Sequence, residues 1–286
     1  MEMVDSMIHG LWQQNGRMRL WRKWRAGSLI GVVCLSLLAC SSDGDEIEYK
    51  ERPVEDLYNT AMDELSEGGS KQAAQLFDEV ERQHPYSVWA TKAQLMSGYA
   101  YYKADAYPEA VAALDRFIQL HPGHQDIAYA YYLKALCYYE QISDVARDQK
   151  MTKDALETLE EVVKRFPNTQ YARDSKLKID LTKDHLAGKQ MAIGRYYLNK
   201  EEYVAAINRF RIVVEQYQTT THAPEALHRL TEAYIALGVV KEAQMAAAVL
   251  GHNFPGSEWY KDSFELLQGR NLSPERDSGS WLDWIF

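Results

Sequence analysis

Apolar positions along the chain fall into three regimes. Residues 26–38 form one apolar run, residues 41–53 ("SSDGDEIEYKERP") are polar and acidic without periodicity, and from Val54 to about Leu267 apolar side chains recur at helical spacing. Recurrence at i, i+3, i+4 and i+7 marks amphipathic helices, and no stretch sustains the strict alternation of a half-buried strand. Pro, Gly and Asn punctuate the runs. The pattern predicts an all-α chain over residues 54–268, preceded by a flexible tether over residues 40–53. Residues 171–199 contain no proline and predict one long helix, and "GSEWYKDSFELLQ" predicts a last helix that caps those before it.

The helical part repeats. In "SGYAYYKADAYPEAVAALDRFIQLHPGH", Gly98, Tyr101, Ala110, Leu114 and Pro122 stand at steps of 3, 9, 4 and 8. The same frame holds Gly194, Tyr197, Ala206 and Phe210, with Gln218 in place of proline, and Thr231, Tyr234, Ala243, Ala247 and Pro255. Ala61, Ala73, Phe77 and Pro85 fit with Glu64 at the tyrosine position, and Ala135, Tyr138, Ala155, Leu159 and Pro167 fit with about eight residues inserted around "SDVARDQK". A small residue on helix A lets helix B approach, an alanine on helix B accepts the contact, and a large apolar residue one turn on fills the seam. Proline, which lacks an N–H and disfavours helix at the residue before it, ends helix B. This resembles the tetratricopeptide repeat, and predicts a superhelical solenoid of about five helix pairs. The prolines stand 37, 45 and 88 residues apart, so the period is loose.

The apolar run near the start is about 13 residues, short of the ~20 that a membrane-spanning helix needs. Arg19, Arg22, Lys23 and Arg25 precede it, so residues 1–39 read as an export signal, with Met18 an alternative start. Leu37 is too large for the −3 position of an ordinary cleavage site. Leu37, Leu38, Ala39 and Cys40 instead resemble the bacterial lipobox, which implies a diacylglycerol thioether and an N-acyl group on Cys40. Ser41 rather than Asp follows, which in that resemblance favours the outer membrane. Several acyl chains on one residue anchor firmly where a single chain is marginal. After cleavage Cys137 is alone, so no internal disulfide forms, and its aromatic surroundings predict a buried hydrophobe.

The formal charge is −9; residues 1–39 hold five basic and two acidic residues, which leaves about −12 on the rest. So acidic a chain without a basic stripe repels phosphate, which argues against nucleic acid as a partner and leaves the lipid to hold the membrane. No nucleotide, metalloprotease, nucleophile-elbow or dithiol motif occurs. His121 and His124 in "HPGH" read as a solvated turn, since no third ligand stands at metal spacing. Neither a catalytic residue, a metal site nor a cofactor other than the lipid on Cys40 is expected.

Tyrosine enrichment points to binding. In tetratricopeptide solenoids the groove is lined by helix A positions 6 and 3 before the small residue and 1 and 4 after it. These are Tyr58, Met62 and Leu65, then Lys92, Leu95, Tyr99 and Tyr102, then Tyr129, Tyr132, Leu136 and Tyr139. Tyrosine supplies apolar area and a hydroxyl at low entropic cost, which suits an extended peptide, although inter-repeat packing would use the same residues.

The runs "RPVEDLYNTAMDELSEGGSKQAAQLFDEVERQHPYSVWA", "DRFIQLHPGH", "ISDVARDQKMTKDALETLEEVVKRFPNTQYA" and "GSEWYKDSFELL", with the lipobox cysteine, resemble the BamD family over about residues 50–268. These are the tetratricopeptide lipoproteins of the outer-membrane β-barrel assembly machinery. The resemblance implies a non-catalytic scaffold on the periplasmic face of the outer membrane, whose first repeats receive unfolded barrel precursors. It implies docking of the last repeats on a BamA-like barrel subunit, with Arg209 and Arg211 facing it, and contacts to other lipoproteins of the complex. A pilotin for secretin assembly is the alternative. Two departures stand out: the third-repeat insertion is short, and "SWLDWIF" in the tail, residues 269–286, has no counterpart in the family. That tail is expected to dock on a partner or in the molecule's own groove, or else to be disordered.

Overall fold

The computed structural model describes residues 51–285; the signal segment and Cys40 lie outside them. Among the described residues there are eleven α-helices and no strand. They are α1 (Val54–Ser66), α2 (Ser70–Gln83), α3 (Val88–Lys103), α4 (Tyr107–Leu120), α5 (Ile127–Tyr139), α6 (Lys150–Arg165), α7 (Gln170–Asn199), α8 (Tyr203–Gln216), α9 (Ala223–Leu237), α10 (Val240–Asn253) and α11 (Glu258–Gln268). Each helix packs on the next in sequence. Five hairpins result, from α1–α2 to α9–α10, with α11 laid across α9 and α10. The first helices of neighbouring hairpins also touch, as α1 with α3, α3 with α5, and α5 with α7.

The repeated small and large positions meet in space. A Cβ on Gly98 would lie 2.8 Å from Leu114, and one on Gly194 only 2.4 Å from the Phe210 ring. Ala61 and Phe77, Ala135 and Leu159, and Thr231 and Ala247 occupy the same two positions, and all six are fully buried. Ala73, Ala110, Ala155, Ala206 and Ala243 are fully buried as well. In the fifth hairpin the large position is only alanine; one turn further on, Tyr260 of α11 packs against the second helix, where a Cβ on Gly251 would stand 2.4 Å from its ring.

The turns repeat too. Seven residues after the small position the chain goes left-handed, at Gly68, Asp105, Glu201 and Gly238 with φ of 93°, 56°, 60° and 77°. The third hairpin departs from this, because its insertion lies there. The second helices end on His84, His121, Phe166, Tyr217 and Phe254, each with φ near −130°. Four of these precede proline, which drives them out of the helical region. Two residues past the proline, Ser87, Thr169 and Ser257 cap the next helix, accepting from the N–H of Ala90, Ala172 and Trp259.

The third-hairpin insertion is fastened rather than loose. Gln149 is buried; its amide donates to the carbonyls of Asp144 and Arg147, and its oxygen accepts from Thr152 and meets His185 on α7 at 3.1 Å. Lys189 of α7 donates to the Ala146 carbonyl at 2.9 Å. α7 thus has two tasks, which explains its 30 residues: its first half closes the third hairpin and its second half builds the fourth. The segment of His121 and His124 is a turn with Pro122 and Gly123 exposed, but the two histidine rings turn inward. Both are half-buried with their rings 5.4 and 5.2 Å from Phe117.

Replacing Gly194 by Ala adds helix propensity of about 1 kcal/mol but drives a methyl into the buried Phe210 ring, where overpacking costs about 1–3 kcal/mol. Gly194→Ala is therefore expected to lower the urea midpoint despite the propensity gain. Adding Phe210→Leu should make the glycine substitution nearly neutral in a double-mutant cycle.

Candidate functional site

The tyrosines expected on the first helices divide into two sets. Those three residues before the small position belong to the seam between hairpins. The Tyr58 ring lies 4.9 Å from Trp89 and 5.4 Å from Phe77. Tyr132 stacks 5.3 Å from Tyr171 and donates to the Asp174 carboxylate at 2.5 Å, and Leu95 at the equivalent place is buried. His228, again three before the small residue, lies 5.3 Å from Trp259. Trp89, Tyr171 and Trp259 share one origin: each stands two residues after the capping Ser or Thr that opens its helix. The three-residue signal Ser/Thr-x-Trp/Tyr was legible in the sequence, and it marks the aromatic that stacks back on the preceding hairpin.

The second set gathers where the second and third hairpins meet. Tyr99, Tyr102 and Tyr129 pack half-buried on one core cluster, with Tyr107 6.0 Å from Tyr102 and Tyr171 5.6 Å from Tyr129. Burial pushes the Tyr129 hydroxyl well above its ordinary range, and the neighbouring hydroxyls of Tyr99, Tyr171 and Tyr102 reinforce this. Burial raises Tyr102 likewise, helped by the Glu140 carboxylate, and burial with Asp105 pushes Tyr107 up to about 12. These phenols stay protonated near neutrality, so the face offers neutral rings and hydroxyl donors rather than charge. Tyr139 is set apart under Lys178, whose Nζ lies 5.0 Å from its ring. Tyr58 and Leu65 pack in the first-hairpin cluster. Met62 is exposed, and Lys92 sits 5.3 Å over Trp89.

Acidic groups tie the hairpins together from one recurrent place, the residue after the large position. Asp78 accepts from Ser97 at 2.6 Å and Tyr101 at 2.8 Å, Asp115 pairs with Lys134 at 2.6 Å, and Glu160 with Lys183 at 3.1 Å. In the fourth hairpin that place holds Arg211. It pairs with Glu215 at 2.9 Å, and its guanidinium lies 4.2 Å over the ring of Trp281. Arg209 donates to Gln190 of α7 at 3.3 Å. Arg195 and Arg229 flank Glu225, where burial would raise the carboxyl but their hydrogen bonds and charges hold it below its ordinary range.

The tail lies on the chain's own helices. Leu282 is fully buried in the cluster built by α8, α9 and α10, and Trp281 donates to the Tyr234 hydroxyl at 3.2 Å. Among the described residues no three potential ligands converge on a metal position, and no helix is long and apolar enough to cross a membrane. Cys137 is buried, which pushes its thiol up to about 12 and away from nucleophilic chemistry.

A series of helical hairpins joined through small-to-large seams, with aromatic hydroxyls on its first helices, defines an all-α tetratricopeptide-type solenoid. Residues 50–250 match the YfiO family, described as an outer membrane lipoprotein. The outer membrane protein assembly factor BamD of Caulobacter vibrioides is 51% identical over 245 residues, covering 85% of this chain and 80% of that protein. BamD of Rickettsia prowazekii is 47% identical, covering 84% and 96%, and BamD of Neisseria meningitidis serogroup B is 36% identical, covering 79% and 90%. The chain belongs to the BamD family of outer membrane protein assembly factors. The pilotin alternative finds no support among these relatives.

The division between seam and surface is testable by removing single hydroxyls. Tyr132→Phe deletes a bond to a charged acceptor and should cost about 1 kcal/mol in chemical denaturation, while Tyr99→Phe should cost less than about 0.5 kcal/mol.

Proposed function

We propose that the chain is a lipid-anchored scaffold on the periplasmic face of the outer membrane that receives unfolded barrel precursors on its second and third hairpins. The observation that carries this reading is the cluster Tyr99, Tyr102 and Tyr129, half-buried rings on first helices that pack on one core cluster. Such a surface takes an extended peptide through apolar contact and hydrogen bonds without demanding one charge pattern. The anchor is the acylated Cys40, with residues 40–53 as its tether and no further cofactor. Arg209, half-buried and bonded to Gln190, and Arg211 lie on the side that faces a BamA-like barrel subunit, with other lipoproteins of the complex alongside. Tyr132, Tyr58 and Tyr139 support the receiving face from the seams, and Leu65 completes the first.

The test is binding of a peptide copied from the C-terminal strand of an outer-membrane barrel protein. Tyr99→Ala, with folding verified by circular dichroism, should weaken it about tenfold, and Tyr99→Phe by less than threefold. Unchanged affinity for Tyr99→Ala and for Tyr102→Ala would remove the tyrosine face from the account and leave the fold untouched.

A further inference from the structure

The first three hairpins meet the next through an acid placed just after the large seam residue, at Asp78, Asp115 and Glu160. At the fourth the sign is reversed. Arg211 stands where the acid should be, and Tyr234 occupies the position from which Tyr101 donates to Asp78. Tyr234 and Arg211 do not bond one another; Trp281 lies between them. Its indole N–H donates to the Tyr234 hydroxyl at 3.2 Å, and Arg211 stacks on its ring at 4.2 Å. Ser280 donates to Glu242 at 2.7 Å while its oxygen caps the following turn, accepting from the Leu282 N–H at 3.2 Å. Leu282 fills a fully buried place. Gln244 donates to the Ser273 carbonyl at 2.7 Å and its own carbonyl accepts from Glu275 at 3.3 Å. The seam thus reads a short pattern: a hydroxyl residue, a tryptophan and an aliphatic residue in one 3-10 turn.

The occupant is held differently from the helices. Between α11 and Ser280 the tail has no regular secondary structure and is largely exposed, and Trp284 is 89% exposed. Its anchor is short: Ser280 and Leu282 are buried, Leu272 and Trp281 pack on the core from its edge, and a few hydrogen bonds complete the hold, whereas each helix of the receptor contributes several buried side chains. Segments with so few buried contacts open at the low end of a protein's local stability range.

We propose that the Arg211, Tyr234 and Glu242 seam is a peptide-binding site for a Ser-Trp-Leu turn, filled in cis by the chain's own tail as an exchangeable strap. When the strap leaves, Arg211, Tyr234 and Glu242 are uncovered together, and a partner segment carrying the same three-residue chemistry takes the place. While it is seated, the face of the Arg211 guanidinium that lies on Trp281 is covered.

The test uses the chain without residues 273–286 and a labelled peptide of those residues, followed by fluorescence anisotropy. The truncated chain should bind the peptide saturably, and the intact chain at least tenfold more weakly because its strap competes. Arg211→Ala and Trp281→Ala (the latter in the peptide) should each weaken binding about tenfold. Absence of binding to a truncated chain that keeps its helical content overturns the site. Equal binding to intact and truncated chains overturns occupancy in cis, as does a dimer by light scattering that only the intact chain forms. A truncated chain that does not fold would make the tail a permanent part of the core, against exchange. In the intact chain, amide exchange at Leu282 should run at least a hundredfold faster than at the centre of α9; equal protection rejects the strap.

Discussion

Everything in this solenoid depends on how closely two helices of a hairpin can approach at one small residue. At Gly98 and Gly194 a methyl group would collide with Leu114 or Phe210, so the helices touch where ordinary side chains would hold them apart. The contact fixes the register of the hairpin, and the left-handed residue seven positions on turns the chain at the right height. Register in turn sets which side chains project toward the next hairpin and which toward solvent. In the fifth hairpin the same two positions hold Thr231 and Ala247, both fully buried, so the close contact is kept with a different pair of sizes.

The seams between hairpins follow from that register. One face carries the aromatic stack, as Tyr58 on Trp89 and Tyr132 on Tyr171, and the other the acid after the large residue. Each is modest by itself, because half-exposed ion pairs contribute little. Repeated along a one-dimensional array, however, they define nearest-neighbour interfaces, and stability in such arrays is close to a sum of those terms. The fourth seam shows what the rule permits: a reversed charge at Arg211 is accommodated because an aromatic segment arrives to meet it.

Much of this was legible in the sequence because its physical causes are local. Small, large and proline positions announced the hairpins, and the absence of proline announced the long helix α7. The candidate face was legible only in part. Spacing says which side of a helix a tyrosine occupies, but not whether the neighbouring hairpin has an aromatic waiting for it, and so Tyr132 fell into a seam while Tyr99 did not lose its open side. The left-handed turns at Asp105 and Glu201 were hidden by residues that seldom adopt that conformation. The landing place of the tail was hidden for a different reason: a contact between Trp281 and Arg211 spans some seventy residues and leaves no periodic trace.

We propose that the register of the hairpins presents a peptide-receiving face on the first helices of the second and third. A photo-crosslinking residue introduced in cells at Tyr99, with a control at exposed Leu120 on the end of the second hairpin's other helix, tests it most directly. Crosslinks are expected from position 99 to unfolded outer-membrane barrel precursors, and few from position 120. Equal yields from both positions, or none from position 99, would contradict it.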